Sequence, residues 1–95
     1  MVKKTSVRLG NALDIMHAAQ LKTRLETCLA KNKPVVLISD KVERADTAGL
    51  QLIYAFIQAV ESAGHSVSWQ KPSDPLRQIA ETLGMEQHLN LQEQQ

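Results

Sequence analysis

The sequence is poor in the residues that usually signal redox, metal or nucleic-acid chemistry. Its 95 residues include one cysteine and three aromatic side chains, and the net charge is only +1 at pH 7. A single cysteine cannot form an internal disulfide or a cysteine-based zinc site, and three aromatics are too few for a base-stacking platform. The near-neutral charge lacks the electrostatic footprint of a nucleic-acid-binding protein. We therefore expect no metal, no cofactor and no nucleic-acid partner.

The sequence also lacks the long apolar runs that membrane insertion requires. A membrane-spanning helix needs about 20 apolar residues, and the opening MVKKTSVRLG has no apolar core of a signal peptide behind its lysines. Hydrophobic residues make up 43% and charged residues 22%, which is typical of a globular protein. These features predict a single domain over residues 1–95, cytoplasmic and without direct membrane insertion, with a frayed tail at about residues 92–95.

Apolar periodicity predicts strands that alternate with helices. The predicted strands are 5–9, 35–38 and 66–70. The predicted helices are 15–29, 47–60 and 75–83. The four consecutive apolar residues of 35–38 favour a strand covered on both faces, and the helical spacing places Ile15 and Leu83 on buried stripes. We expect an α/β fold with a small, mostly parallel sheet and helices packed mainly on one side.

Few side chains suggest catalysis. His17, His65 and His88 are scattered, and none belongs to a helical zinc-binding pattern. Cys28 lies on the apolar stripe of the first helix, where cysteine usually behaves as a small hydrophobic residue. The four glycines form neither a P-loop nor a dinucleotide fingerprint. Because no nucleophile, base or metal set converges, we predict that the protein is not an enzyme.

One junction, Ala45-Asp46-Thr47-Ala48-Gly49-Leu50, precedes the second predicted helix. Asp46 or Thr47 could cap this helix, and Gly49 could allow close packing against a neighbour. A hydroxyl beside a helix N-terminus is also a suitable phosphate position, because exposed N–H groups and the helix dipole stabilise added negative charge. The spacing alone leaves both interpretations open.

The order of these motifs resembles the STAS family, the sulphate transporter and anti-sigma factor antagonist domains. Leu13-Asp14-Ile15 is similar to the strand end and first-helix signature of the family, and residues 35–39 are similar to its central strand. Residues 42–50 resemble its most specific stretch, in which an Asp is followed by Ser or Thr, two small residues and Leu. The resemblance covers essentially the whole chain and implies a STAS-like fold.

In the anti-sigma factor antagonists of this family, the hydroxyl residue after that Asp is phosphorylated, and the phosphorylated form releases its partner. By position, the resemblance assigns phosphorylation to Thr47 in a bacterial signal-transduction module. The implied partner is an anti-sigma factor or a protein similar to a serine kinase. The implied partner-binding residues are Asp14, Glu43, Arg44, Asp46, Thr47, Ala48 and Gly49.

The resemblance also leaves a second interpretation open. The chain is similar to stand-alone STAS proteins encoded beside bacterial chemotaxis genes and to the small cytoplasmic subunit of phospholipid-transport ABC complexes. Some family members have threonine at the acceptor position without known phosphorylation. The alternative is therefore a constitutive subunit of a chemotaxis-linked or phospholipid-transport ABC complex, without phospho-switching.

Overall fold

The computed structural model describes residues 3–91, and the predicted frayed tail at residues 92–95 lies outside that range. The strands are β1 (Thr5–Arg8), β2 (Ala12–Leu13), β3 (Val35–Ile38), β4 (Arg44–Ala45) and β5 (Val67–Gln70). The helices are α1 (Ala18–Leu29), α2 (Thr47–Ser62) and α3 (Asp74–Thr82), with a 3₁₀ turn over Ile15–His17 before α1.

The main sheet has the order β1-β3-β5, and all of its strands are parallel. Strands β2 and β4 form a separate two-stranded parallel pair. The register aligns Val7, Leu37 and Trp69 in one row across the main sheet. This arrangement confirms the predicted α/β fold with a small parallel sheet.

The helices cover only one face of the main sheet. The aligned side chains of Val7, Leu37 and Trp69 are buried in a core that also contains apolar side chains from all three helices. On the opposite face, Val36 and Ile38 are only half-buried. The prediction that residues 35–38 are covered on both faces is therefore wrong, because the described residues provide no second helical layer.

Two of the three predicted helix starts are confirmed. Asp46 caps α2, and Ser73 caps α3 by accepting a hydrogen bond from the Leu76 N–H (3.2 Å), with Pro75 in the first turn. The first helix differs, since Asp14 caps the 3₁₀ turn and α1 begins only at Ala18. The side chain of Ile15 is 68% exposed rather than buried, because a 3₁₀ turn does not continue the 3.6-residue stripe of the α-helix.

The segment after α3 packs back onto the core. Trp69 Nε1 donates a hydrogen bond to the backbone oxygen of Leu89 (2.7 Å), and Leu89 and Leu91 are buried. Leu83, predicted to be buried, is 41% exposed. Leu83 is the C-cap of α3 and lies beyond the last turn that packs on the core. The helical spacing therefore no longer determines where its side chain points.

Candidate functional site

The carboxylate of Asp46 joins the starts of two helical segments. Its Oδ1 atom accepts a hydrogen bond from the Gly49 N–H (2.9 Å), which caps α2. Its Oδ2 atom accepts one from the Ile15 N–H (3.1 Å), at the beginning of the 3₁₀ turn. Both oxygens are thus used within the chain. Asp46, which lies beside Thr47, therefore also holds Ile15 and Gly49 in position.

The start of α2 is pressed against β2. Gly49 is buried against the backbone of Leu13, and Ala48 is half-buried. The Asp46 N–H donates to the Leu13 oxygen (3.0 Å), which fixes the turn that leads into the helix. The predicted close packing at Gly49 is confirmed. Among the predicted binding residues, Gly49 thus has a packing role and offers no side chain to a partner.

Thr47 is the first residue of α2, and its side chain is exposed. Within residues 3–91 its hydroxyl has no hydrogen-bond partner, so Asp46 and not Thr47 caps the helix. Thr47 lines a groove of about 440 Å³ between the start of α2 and the end of α3. The α3 side of this groove consists of Gln78, Ile79, Thr82 and Leu83. A partner can therefore reach the hydroxyl directly.

Asp14 and Arg44 lie at the same end of the molecule. Asp14 Oδ1 lies 2.6 Å from Nδ1 of His17 and also accepts a hydrogen bond from the His17 N–H (3.1 Å). The hydrogen bond from the His17 side chain lowers the pKa of Asp14 below its ordinary value of 3.8, and the positive charge of Arg44 contributes. Glu43 and Arg44 are exposed, and their N–H groups point to the Asn11 oxygen.

Exposed apolar side chains that the sequence pattern did not identify border this site. Met16 is 85% exposed and lies next to Ile15, whose backbone N–H is bound by Asp46. Met16 falls off the apolar stripe of the first helical pattern, which is the signal that could have identified an exposed hydrophobic residue. We call the set Ile15, Met16, Asp46, Thr47, Ile79 and Leu83 the Thr47 surface.

The two histidines other than His17 each contact a side chain outside the Thr47 surface. His65 Nε2 lies 3.0 Å from Oδ1 of Asn32, and His88 stacks edge-on against Tyr54. Within residues 3–91, no group of three His, Cys, Asp or Glu side chains is arranged to hold a metal ion. None of the helices described in this range combines the length and the apolar character that crossing a membrane requires.

Comparisons with known proteins agree with this architecture. The family model described as "Mlab, STAS domain" matches residues 2–93. The solved structure titled "NMR Structure of the protein TM1081" is similar in fold, with a TM-score of 0.73 at 17% identity, over 90% of this chain and 70% of that chain. No curated protein matched the sequence. Since the family model spans nearly all of the sequence, the chain belongs to the STAS domain family.

Proposed function

We propose that this protein is a non-catalytic interaction module of the anti-sigma factor antagonist kind, whose binding to a protein partner is switched by phosphorylation of Thr47. STAS domains in general bind other proteins. The observation that carries the proposal is the exposed Thr47 hydroxyl at the start of α2, which accepts or donates no hydrogen bond within residues 3–91 and lies beside an accessible groove. On this proposal the protein acts in the cytoplasm, where ATP and a protein kinase are available to it.

The free domain should accept a phosphate at Thr47 at little cost. The Thr47 and Ala48 N–H groups lie in the first turn of α2, where backbone donors have no partner within the helix. These donors and the helix dipole favour negative charge, the dipole by about 0.3–1 kcal/mol. Phosphorylation should therefore leave the fold intact and change only what the surface can bind.

In a complex the same phosphate should be strongly unfavourable. A partner that covers the Thr47 surface would remove water from the phosphate while the carboxylate of Asp46 and the apolar Ile79 and Leu83 surround it. An uncompensated buried charge costs about 3–5 kcal/mol, and each 1.4 kcal/mol is a tenfold change in affinity. Phosphorylation should thus weaken binding by about a hundredfold or more.

The test begins with the partner that a tagged protein captures, identified by mass spectrometry. This partner is titrated against wild type, Thr47→Ala and Thr47→Glu, with circular dichroism to confirm that each variant is folded. Thr47→Ala should bind like wild type and keep its stability, because the hydroxyl caps nothing. Thr47→Glu, an imperfect mimic of the phosphate, should bind far more weakly.

Gln58→Glu is the matched control, since it adds the same charge to an exposed position about three turns further along α2. It should bind like wild type. Incubation with ATP and cell extract should add phosphate to wild type and not to Thr47→Ala. Equal affinities for wild type, Thr47→Ala and Thr47→Glu would remove Thr47 from the interface and contradict the proposal.

A second candidate function is a constitutive subunit of a chemotaxis-linked or phospholipid-transport ABC complex. The observation that favours it is the apolar border of the Thr47 surface, where Ile15, Met16 and Leu83 are 68%, 85% and 41% exposed. Permanent interfaces are more hydrophobic than transient ones. Stable co-purification with an ATPase or chemotaxis component, without phosphate on Thr47, would favour this candidate over the switch.

A further inference from the structure

The outer edge of β1 is open in the part of the chain that the structure describes. Among the strands described, β1 lies at one end of the main sheet and pairs only with β3. The N–H groups of Thr5 and Leu9 point inward, to the oxygens of Pro34 and Ile38 (2.8 and 3.0 Å). Because backbone groups alternate along a strand, the N–H and C=O groups of Ser6 and Arg8 point outward. This edge is therefore a short row of backbone donors and acceptors.

One of these four groups is already occupied. Nη1 of Arg24, on α1, donates a hydrogen bond to the Arg8 oxygen (3.0 Å). Within residues 3–91 the two N–H groups and the Ser6 oxygen have no such partner. The guanidinium is exposed and sits on a long flexible side chain, so an incoming strand can displace it. The edge is thus partly covered by a group that is easily moved.

A groove of about 600 Å³ runs beside this edge, between β1 and α1. We call it the β1–α1 groove, lined among others by Ser6, Arg8, Thr23, Arg24, Thr27 and Lys31. Three of these residues are cationic, and none of the residues that line the groove is acidic. Arg24 and Lys31 lie on the helical side of the groove, whereas the Arg8 side chain follows the inward-facing Val7 and so points to the opposite face of the sheet. An extended peptide on the edge would point alternate side chains into this groove.

We propose that the β1 edge and the β1–α1 groove bind an extended, acidic segment of another protein by strand addition. The backbone of that segment would pair with Ser6 and Arg8, while its Glu or Asp side chains meet Arg24 and Lys31 on the helical face of the sheet and Arg8 on the opposite face. Main-chain pairing supplies affinity in this mode, and the side chains of the groove supply selectivity. This surface is separate from the Thr47 surface and shares no residue with it.

Two other occupants fit the observations less well. A second copy of the chain, paired edge to edge, would bring two sets of Arg8, Arg24 and Lys31 together. Like charges that face each other across a strand pair are destabilising. The phosphates of a nucleic acid would pair with the cationic side chains, but a nucleic acid could not form the alternating backbone hydrogen bonds that the N–H and C=O groups of Ser6 and Arg8 offer. An acidic peptide can both form ion pairs with the cationic side chains and form hydrogen bonds with the backbone of the strand edge.

The test uses a capped peptide of about eight residues in which Glu alternates with Thr. It is titrated into the full ¹⁵N-labelled protein while amide shifts are followed by NMR. We expect a dissociation constant of about 1 mM or below, with shifts at Ser6, Arg8 and Lys31. The same peptide with Lys in place of Glu should not bind. Absence of binding by the Glu peptide, or equal binding of both, would overturn the proposal.

Variants separate the backbone contribution from the charge. Ser6→Pro removes an outward N–H that no described residue uses, and proline is tolerated on edge strands, so the protein should fold and lose peptide binding. Lys31→Glu should weaken binding by about fivefold, whereas Lys22→Glu, on α1 but outside the groove, should not. If Ser6→Pro misfolds, the amide shifts and the two lysine variants decide the question.

Three results would assign the edge to something else and overturn the proposal. The first is a wild-type dimer in sedimentation that Ser6→Pro converts to monomer. The second is competition by single-stranded DNA as effective as that of the Glu peptide. The third is loss of peptide binding in Thr47→Glu, which would place the peptide on the Thr47 surface. Unchanged peptide binding in Thr47→Glu would support the proposal whether or not the phospho-switch itself is correct.

Discussion

A Cβ atom on Gly49 would lie 1.9 Å from the backbone oxygen of Leu13 and 2.4 Å from its carbonyl carbon. The same oxygen accepts the hydrogen bond from the Asp46 N–H (3.0 Å), so the strand cannot retreat without breaking the turn that enters α2. Glycine is therefore required at this position because the backbones of α2 and β2 are in contact there. Its own dihedral angles are not unusual.

We expect Gly49→Ala to lower the free energy of unfolding by about 1–3 kcal/mol, because the added methyl group overpacks the contact with Leu13. Intrinsic helix propensity predicts the opposite sign, a gain of about 1 kcal/mol. Urea unfolding of wild type and variant measures the difference. Gln51→Ala, exposed in the same helix, is the control and should change stability little. A stabilised Gly49→Ala would contradict the close approach.

Asp46→Ala should destabilise the protein more than Asp46→Asn. Alanine loses both hydrogen bonds that Asp46 accepts, from the N–H groups of Gly49 and Ile15. Loss of one helix cap alone typically costs about 1 kcal/mol. Asparagine keeps one acceptor oxygen, so it can retain the bond from Gly49 but not the one from Ile15. Thermal melts should rank wild type above Asn and Asn above Ala, with about 5 °C or more between the extremes. Equal melting temperatures for the two variants would mean that the bond from the Gly49 N–H contributes nothing, and equal melting temperatures for wild type and Asp46→Asn would mean the same of the bond from Ile15.

His17→Ala should raise the pKa of Asp14 toward its ordinary value of 3.8, because the hydrogen bond from His17 holds it lower in the folded state. A carboxyl whose folded pKa is depressed contributes stability that is fully present above about pH 4 and is lost as the pH falls through the folded pKa. NMR titration of the Asp14 side-chain carbon measures the shift directly. Arg44→Ala should raise the same pKa by less, and an unchanged pKa in His17→Ala would contradict the assigned cause.

The two faces of β3 should respond differently to truncation. Leu37 is fully buried beneath the helices, so Leu37→Ala should cost about 2–5 kcal/mol. Ile38→Ala removes a side chain of the same size from the half-buried face and should cost clearly less. Urea unfolding of both variants provides the comparison. Similar losses would mean that the second face of the sheet is covered after all.

The fold was largely predictable because its signals are local. The cap at Asp46, the proline in the first turn of α3 and the alternation at Trp69 each specify one element by short-range physics. The burial of Val36 and Ile38 was not predictable in the same way. Four consecutive apolar residues favour a strand covered on both faces, but apolar side chains also occur on half-buried faces, and only the packing of the whole chain decides between the two cases.

The candidate site was predictable in position but not in composition. The spacing before α2 identified the junction around Thr47, yet it left Asp46 and Thr47 as equal candidates for the cap. The apolar border was missed at Ile15 and Leu83, which lie at helix ends where the helical spacing no longer sets the direction of side chains. The contact between Asp46 and Ile15 spans 31 residues, and no local pattern encodes it.

Because of the contact between Trp69 and the Leu89 backbone, the intrinsic fluorescence of the protein reports on its native state. Trp69 is the single tryptophan of the chain, it is buried, and its indole N–H is bound to the segment that follows α3. Intrinsic fluorescence excited at the indole band therefore comes from one position and needs no label. Its emission should shift to longer wavelength when that segment detaches, which makes detachment distinguishable from changes confined to the Thr47 surface.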